Sequence, residues 1–246
     1  MHTGTRIPAR IRRICAPLLF IVFDYFAILL AEKMAFGLHD LYGLLMGTSY
    51  HVPDAYLYFW IPLVFIAFLA ISQTYTKMQP ILETVRQIFY AVLYALITCI
   101  LALYFMQASV LASRLYVVLF GLLALLNIYA VRYILLKFLK SANIFTKPVL
   151  LIGAGKTAEQ VLFSFERDLG YRYEIVGILD DAPISETLPQ RFLLMGRLDH
   201  AAEIIRDSAV TTVIVTAPGM EKEKLQTLLE NIQPYVRDII FVPDLI

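Results

Sequence analysis

The sequence predicts a four-helix transmembrane bundle followed by a small α/β domain with a parallel sheet. Of its 246 residues, 59% are hydrophobic and only 17% are charged, which is too apolar for an ordinary soluble protein. Nearly all the long apolar runs lie before residue 140, and short apolar strands alternate with amphipathic helices after Lys147. We therefore predict a membrane domain over 1–147 and a second domain over 148–246.

Four segments approach the roughly 20 apolar residues that one helix needs to cross a bilayer. They lie at 14–31, 55–71, 87–106 and 115–136. The first is not a cleaved signal peptide, because no small-x-small cleavage site follows it and three more apolar segments do. We predict four membrane spans, and hence the lipid bilayer as a partner.

Basic residues indicate the orientation of these spans. Lys and Arg cluster in the N-terminal arm, between the second and third spans, and after the fourth span, whereas the other two loops hold only Lys33 and Arg114. By the positive-inside rule, both termini face the cytoplasm, and so does the domain over 148–246.

Asp24 is the one acid inside a predicted span, and it has two interpretations. An intramembrane acid can serve a function, such as proton relay or contact with a lipid headgroup. It can also form a structural pair with Arg132 of the fourth span, or with a tyrosine hydroxyl. We favour the structural pair, because an unpaired charge in lipid is costly.

A glycine-containing turn organises the second domain. A strand is followed by Gly153-x-Gly155-x-x-Ala158, and the next strand ends at Asp180, which is the layout of a Rossmann-like βαβ unit. In such a unit Gly153 permits the tight turn, Gly155 the approach of a phosphate, and Ala158 close helix packing. Lys156 would add positive charge near a phosphate at the helix N-terminus. Asp180 would accept a ribose hydroxyl.

A nucleotide such as NAD or a UDP-sugar fits this pattern as a cofactor. The same glycines can equally serve only the turn between strand and helix, because many domains of this fold hold no nucleotide. No cofactor is therefore required by the sequence, and both interpretations stay open.

Five strands are expected in this domain, with amphipathic helices between them. They lie near 149–152, 173–179, 192–195, 212–216 and 238–242. Strands that alternate with helices predict a parallel, doubly wound sheet.

Composition also excludes several classes of function. The net charge is +1, which does not suggest a nucleic-acid partner. Cys15 and Cys99 lie in apolar segments, and the four histidines lack ligand spacing, so no metal site is predicted. The sequence offers no nucleophile and base at catalytic spacing, and we predict no catalytic residue.

Several short motifs occur in a characteristic order along the whole chain. They are Tyr75-Thr-Lys77 with Pro80, Glu83 and Arg86, then Arg132-Tyr-x-x-x-Lys137, Lys147-Pro-Val-Leu-Leu-Ile-Gly-Ala-Gly, Val176-Gly-x-x-Asp180-Asp, and Phe241-Val-Pro-Asp244. In this order they resemble the N-terminal half of the long-form bacterial polyprenyl-phosphate sugar-1-phosphate transferases. These undecaprenyl-phosphate galactose or glucose phosphotransferases begin O-antigen, capsule or exopolysaccharide synthesis.

The resemblance implies a membrane-anchoring, accessory or regulatory module in a bacterial inner membrane. In that family catalysis belongs to a C-terminal domain with a re-entrant helix and an Asp-Glu pair, which would follow Ile246. Asp180 and Asp181 are not that pair, because they end a predicted strand. We expect the chain to be a fragment, or the partner of a separate catalytic domain, and to form a homo-oligomer. Alone, it should not release UMP from a UDP-sugar.

Two other functions remain as alternatives. Membrane-bound NAD-dependent nucleotide-sugar 4,6-dehydratases share a similar front half, although Tyr133-x-x-x-Lys137 lies at a membrane exit and is not their catalytic pair. The other alternative is a nucleotide-sensing membrane regulator. Against it, no selectivity-filter motif appears between the spans.

Overall fold

The computed structural model describes residues 9–46, 56–105, 113–181, 187–208, 210–216 and 219–242, with side chains of the first helix described over 14–41. The chain divides into two compact units, Met1–Phe145 and Thr146–Ile246. Long apolar helices form the first unit, and a five-stranded sheet with its helices forms the second.

The described residues of the first unit form four apolar helical segments. Helix α1 spans Ala9–Met46, a π-helical turn at Tyr56–Trp60 leads into α2 at Ile61–Ile71, α3 spans Ile81–Phe105, and α4 spans Arg114–Ser141. By length and composition, three helices of the described chain are able to cross a membrane, over Ile14–Leu41, Ile81–Phe105 and Arg114–Ser141. The prediction of membrane helices is confirmed, but the predicted count of four is not matched.

The second predicted span is the one that falls short. The apolar helix Tyr56–Ile71 combines 5 residues of the π-helical turn with the 11 residues of α2. At 1.5 Å per residue it covers about 24 Å, which is less than the ~30 Å hydrocarbon layer. The first residue of the predicted span, Ala55, lies outside the described residues. The apolar run at 55–71 predicted a full span, but the described helix is shorter than a full crossing requires.

Helix α1 is longer than the span predicted at 14–31. It continues through Glu32 and Lys33, so the candidate span Ile14–Leu41 contains these residues as well as Asp24. The expectation that Asp24 is the one acid within a span was therefore wrong. Glu32 is only 3% exposed, which sequence polarity could not reveal.

Helices α1 and α4 run antiparallel, because Asp24 contacts Arg132 while His39 lies against Tyr116. Small residues of α1 face the interior of the bundle, with Ala31 and Ala35 fully buried. Small side chains let helix backbones approach closely where the lipid provides no hydrophobic drive between helices.

The second unit is a parallel sheet of five strands. They are β1 Lys147–Ile152, β2 Tyr173–Leu179, β3 Leu194–Gly196, β4 Thr212–Val215 and β5 Asp238–Phe241. Their order is β3-β2-β1-β4-β5, and every neighbouring pair is parallel. The predicted parallel sheet is confirmed, with β1 at its centre.

Helices cover both faces of this sheet. They are α5 Lys156–Arg167, the short α6 Leu188–Arg191, α7 Ala201–Ser208 after a 3₁₀ turn at Leu198–His200, and α8 Lys222–Ile232. Alternate residues of β1 point to opposite faces: Leu150 packs with Ile205 and Leu228, whereas Leu151 packs with Ala158 and Leu162. The sheet is doubly wound, since α5 and α6 cover one face and α7 and α8 the other.

Candidate functional site

The glycine turn begins where β1 ends. Gly153 has a φ of 97°, a conformation that L residues with a side chain rarely adopt. Its N–H donates a 2.9 Å hydrogen bond to the carbonyl oxygen of Leu179 in β2. Gly153 therefore makes the tight turn that the sequence predicted, and the backbone hydrogen bond ties that turn to the neighbouring strand.

Asp180 is bonded to the turn itself. Its Oδ2 accepts a 2.5 Å hydrogen bond from the backbone N–H of Ala154, and its own N–H donates to the carbonyl oxygen of Gly196 at 3.1 Å. The structure therefore brings the acid and the glycine turn together. It also gives Asp180 a structural role in holding the turn.

The residues after the turn lie at the N-terminus of α5. Gly155 precedes the helix, and a Cβ added to it would meet no atom within 4 Å. Lys156 is exposed at the first helical position, and Ala158 is fully buried against the sheet. The packing role predicted for Ala158 is thus explained within the chain. No atom of the described residues lies close enough to a Cβ at position 155 to require glycine there.

Thr216 is a residue of this site that sequence reasoning missed. Strands β1 and β4 are neighbours in the sheet, and the direction of the strand order reverses between them. Ligands of open α/β sheets usually bind at such a switch point. The buried hydroxyl of Thr216 lies 3.0 Å from the carbonyl oxygen of Ile152 and 2.9 Å from that of Gly153. One polar residue at the end of an apolar strand was the only signal available.

Asp181 follows Asp180 in the chain, but its carboxylate bonds to different partners. It accepts hydrogen bonds from the Lys224 ammonium at 2.7 Å and from the Leu198 N–H at 3.0 Å. Arg197 also approaches its carboxylate at 3.7 Å. The hydrogen bond from Lys224 lowers the pKa of Asp181 below its usual range. Asp181 therefore links β2 to the segments that begin α7 and α8.

In the membrane unit, the predicted structural pair exists. Arg132 of α4 donates to Asp24 through Nε at 3.1 Å and through Nη2 at 2.7 Å, and both side chains are buried. Its Nη1 donates to the carbonyl oxygen of Thr74 at 3.2 Å. The guanidinium also lies over the rings of Phe20 and Tyr75, 4.6 and 4.7 Å from their centroids.

Among the residues that the structure describes, no group of three or more His, Cys, Asp or Glu side chains could hold a metal ion. Tyr133 and Lys137 both lie on α4, as expected from their position at the end of the fourth apolar segment. Cys15 and Cys99 are free cysteines in α1 and α3.

A doubly wound parallel sheet with a glycine turn at its switch point is a Rossmann-like fold, and the same chain contains helices long and apolar enough to cross a membrane. Residues 70–243 match the model of the CoA-binding domain family, and the chain belongs to this family. The domain occurs in the N-terminal region of bacterial polyprenyl-phosphate sugar transferases. The match begins before α3, so it includes two long apolar helices as well as the sheet. No curated protein matches the chain.

Proposed function

We propose that this chain is the membrane-anchoring and accessory or regulatory module of an undecaprenyl-phosphate sugar phosphotransferase, and that it is not catalytic by itself. The observation that carries the proposal is the family match over 70–243. That match covers two long apolar helices and the α/β domain together, and this domain occurs in the N-terminal region of such transferases. The motif order from Tyr75 to Asp244 supports the same assignment.

Three acidic residues, Asp24, Asp180 and Asp181, have structural partners, which supports a non-catalytic role for them. A phosphosugar transfer needs a nucleophile and groups that stabilise the transferring phosphate. Asp24 is bound by Arg132, Asp180 accepts from the Ala154 N–H, and Asp181 accepts from Lys224. Each of these acids is used to hold helices, strands or turns together.

We further propose a bacterial inner-membrane location with both termini in the cytoplasm. The asymmetry of Lys and Arg along the chain supports it. Both termini on one side require an even number of crossings, so Tyr56–Ile71 would have to cross with local thinning of the bilayer. Reporter fusions after Met46 and after Lys77 test this. Opposite sides for these two positions support the crossing, and the same side contradicts it.

The glycine turn supports a second proposal, that the α/β domain binds a nucleoside diphosphate. The open space at Gly155 and the exposed Lys156 at the start of α5 suit a diphosphate. The family is described as CoA-binding, but the adenosine ribose of CoA carries a phosphate that the Asp180 carboxylate would repel. We therefore propose a ligand with free ribose hydroxyls, such as NAD or a UDP-sugar.

The functional test compares two preparations of membranes. In the first, this chain alone receives a UDP-sugar and undecaprenyl phosphate, and UMP release should equal that of membranes with empty vector. In the second, a phosphoglycosyl transferase catalytic domain is supplied with or without this chain. More catalytic domain in the membrane, or a larger complex with it, is expected when the chain is present. Robust UMP release by the chain alone would contradict the proposal.

A further inference from the structure

Glu32 is a buried acid of the membrane unit that the proposed function leaves unused. It lies on the same buried face of α1 as Ile28, Ala31 and Ala35, which are all fully buried. Glu32 is 3% exposed, and its Oε1 has no hydrogen-bond partner among the residues that the structure describes. This differs from Asp24, eight residues earlier on the same helix, which is held by two hydrogen bonds from Arg132.

Within the described part of the chain, the neighbouring groups leave Glu32 Oε1 without a hydrogen-bonded counter-ion. Lys33 is the nearest cation in sequence and attracts the carboxylate. However, its ammonium donates a 2.8 Å hydrogen bond to the Tyr58 hydroxyl, and no hydrogen bond joins it to Glu32 Oε1. From α4, Asn127 directs its amide to the carbonyl oxygen of Ala27 at 3.4 Å.

The other titratable group that interacts with Glu32 is a thiol on α3. Cys99 and Glu32 repel each other electrostatically when both are ionised, so the thiol does not stabilise a carboxylate here. A hard metal cation would need several oxygen ligands, and the described residues contain no group of three or more His, Cys, Asp or Glu side chains that could hold one. A proton is the ligand that satisfies a single buried carboxylate without further partners.

We propose that Glu32 is a proton-binding site of the membrane unit, held as the neutral carboxylic acid between α1 and α3. An isolated carboxylate is very costly to bury, and such a group neutralises instead. Asp24 and Glu32 thus form a contrasting pair on one helix: Asp24 is ionised because Arg132 pairs with it, and Glu32 carries a proton. Ionisable groups inside membrane segments commonly mark functional sites.

A carbodiimide experiment on the full chain in lipid vesicles tests this directly. Dicyclohexylcarbodiimide dissolves in the bilayer and reacts with protonated carboxyl groups, and tandem mass spectrometry locates the adduct. We expect severalfold more adduct on Glu32 than on Asp24, and a loss of Glu32 labelling as the pH is raised. A water-soluble carbodiimide should leave Glu32 unlabelled, because the side chain is buried.

Three results would overturn the proposal. They are an unmodified Glu32, equal labelling of Glu32 and Asp24, or labelling of Glu32 by the water-soluble reagent. Because these measurements use the unaltered chain, they do not depend on any variant folding.

A pair of isosteric variants gives a second, independent measurement. Glu32→Gln replaces a neutral acid by a neutral amide, so the unfolding temperature in detergent should change little. Asp24→Asn removes the charge that pairs with Arg132, so its unfolding temperature should drop clearly. An equal drop for both variants would mean that Glu32 is ionised and paired, contrary to the proposal.

Discussion

Arg132 of α4 donates two hydrogen bonds to the carboxylate of Asp24 of α1, from Nε at 3.1 Å and from Nη2 at 2.7 Å. The two residues are 108 positions apart in the chain and are 3% and 0% exposed. Because the same guanidinium also donates to the Thr74 carbonyl oxygen, one side chain joins α1, the segment after α2, and α4.

Breaking this pair from one side should be strongly destabilising. Arg132→Ala leaves the Asp24 charge buried without a partner, for which losses of about 3–5 kcal/mol are typical. Arg132→Lys keeps the charge but cannot form the bidentate pair with the carboxylate, so we expect an intermediate loss of stability. Thermal unfolding in detergent measures both variants.

The control is the double variant Asp24→Leu with Arg132→Leu. Removing both charges avoids the desolvation cost and should recover part of the lost stability. If the double variant were less stable than Arg132→Ala, the pair would contribute more than mutual neutralisation.

The two buried threonines of β4 and its end provide a matched pair of variants. Thr216 hydrogen-bonds to the end of β1, whereas the Thr212 hydroxyl is buried and has no hydrogen-bond partner among the described residues. Thr216→Val should lose about 1 kcal/mol, because a buried hydrogen bond contributes that much. Thr212→Val should be neutral or stabilising. Hydrogen exchange of the β1 and β4 peptides distinguishes these outcomes, and equal effects would contradict the role given to Thr216.

Replacing the two glycines of the turn by alanine should have different effects on stability. Gly153→Ala forces a side chain into φ 97° and should destabilise the domain by more than about 1 kcal/mol. Gly155→Ala should fold normally, because its φ is −91° and the space around its Cβ is open.

The same two variants test ligand binding. If a nucleoside diphosphate approaches Gly155, titration of NAD or UDP-glucose should bind the unaltered chain and bind Gly155→Ala more weakly. Unchanged binding in Gly155→Ala would place the ligand elsewhere. No binding of either nucleotide to the unaltered chain would favour a purely structural turn.

The ion pair between Asp181 and Lys224 makes the α/β domain sensitive to acid. The pKa of Asp181 is lowered in the folded chain, so its contribution to stability is complete at neutral pH. That contribution disappears as the pH falls through the folded-state pKa, below the usual range of an aspartate. Lys224→Met should therefore lower the unfolding temperature at about pH 7 and have less effect in acid. A loss that does not depend on pH would show that the lysine acts by packing.

Local patterns were sufficient for the architecture of the second unit. The alternation of strand and helix periodicity from Lys147 onward predicted the parallel sheet, and the spacing of Gly153, Ala158 and Asp180 predicted the turn beside the end of β2. These features depend on residues close in sequence, whose period and turn chemistry are visible in one dimension. The predicted third strand began two residues early, as expected where an edge strand has only three residues.

Lengths and partners of polar residues were harder to predict. Glu32 and Lys33 resemble the end of a span, yet α1 continues through both of them. Glu32 is buried there, and Lys33 donates a hydrogen bond to the Tyr58 hydroxyl. An apolar run at 55–71 predicted the second span, but its helix, Tyr56–Ile71, is shorter than a full crossing requires. Only Asp24 had an identifiable partner, since an acid in lipid requires a cation and Arg132 lies in another span.

The sequence by itself determined the two-part organisation, the membrane character of the first part, and the order of strands and helices in the second. Apolar run length and hydrophobic period cause these features directly. Only the tertiary structure showed that Asp180 accepts a hydrogen bond from the Ala154 N–H and that Glu32 is buried. It also showed that the Thr216 hydroxyl donates to the carbonyl oxygen of Gly153, 63 positions earlier in the chain. Each depends on which distant backbone or side-chain atoms come within hydrogen-bond distance, and packing alone establishes that.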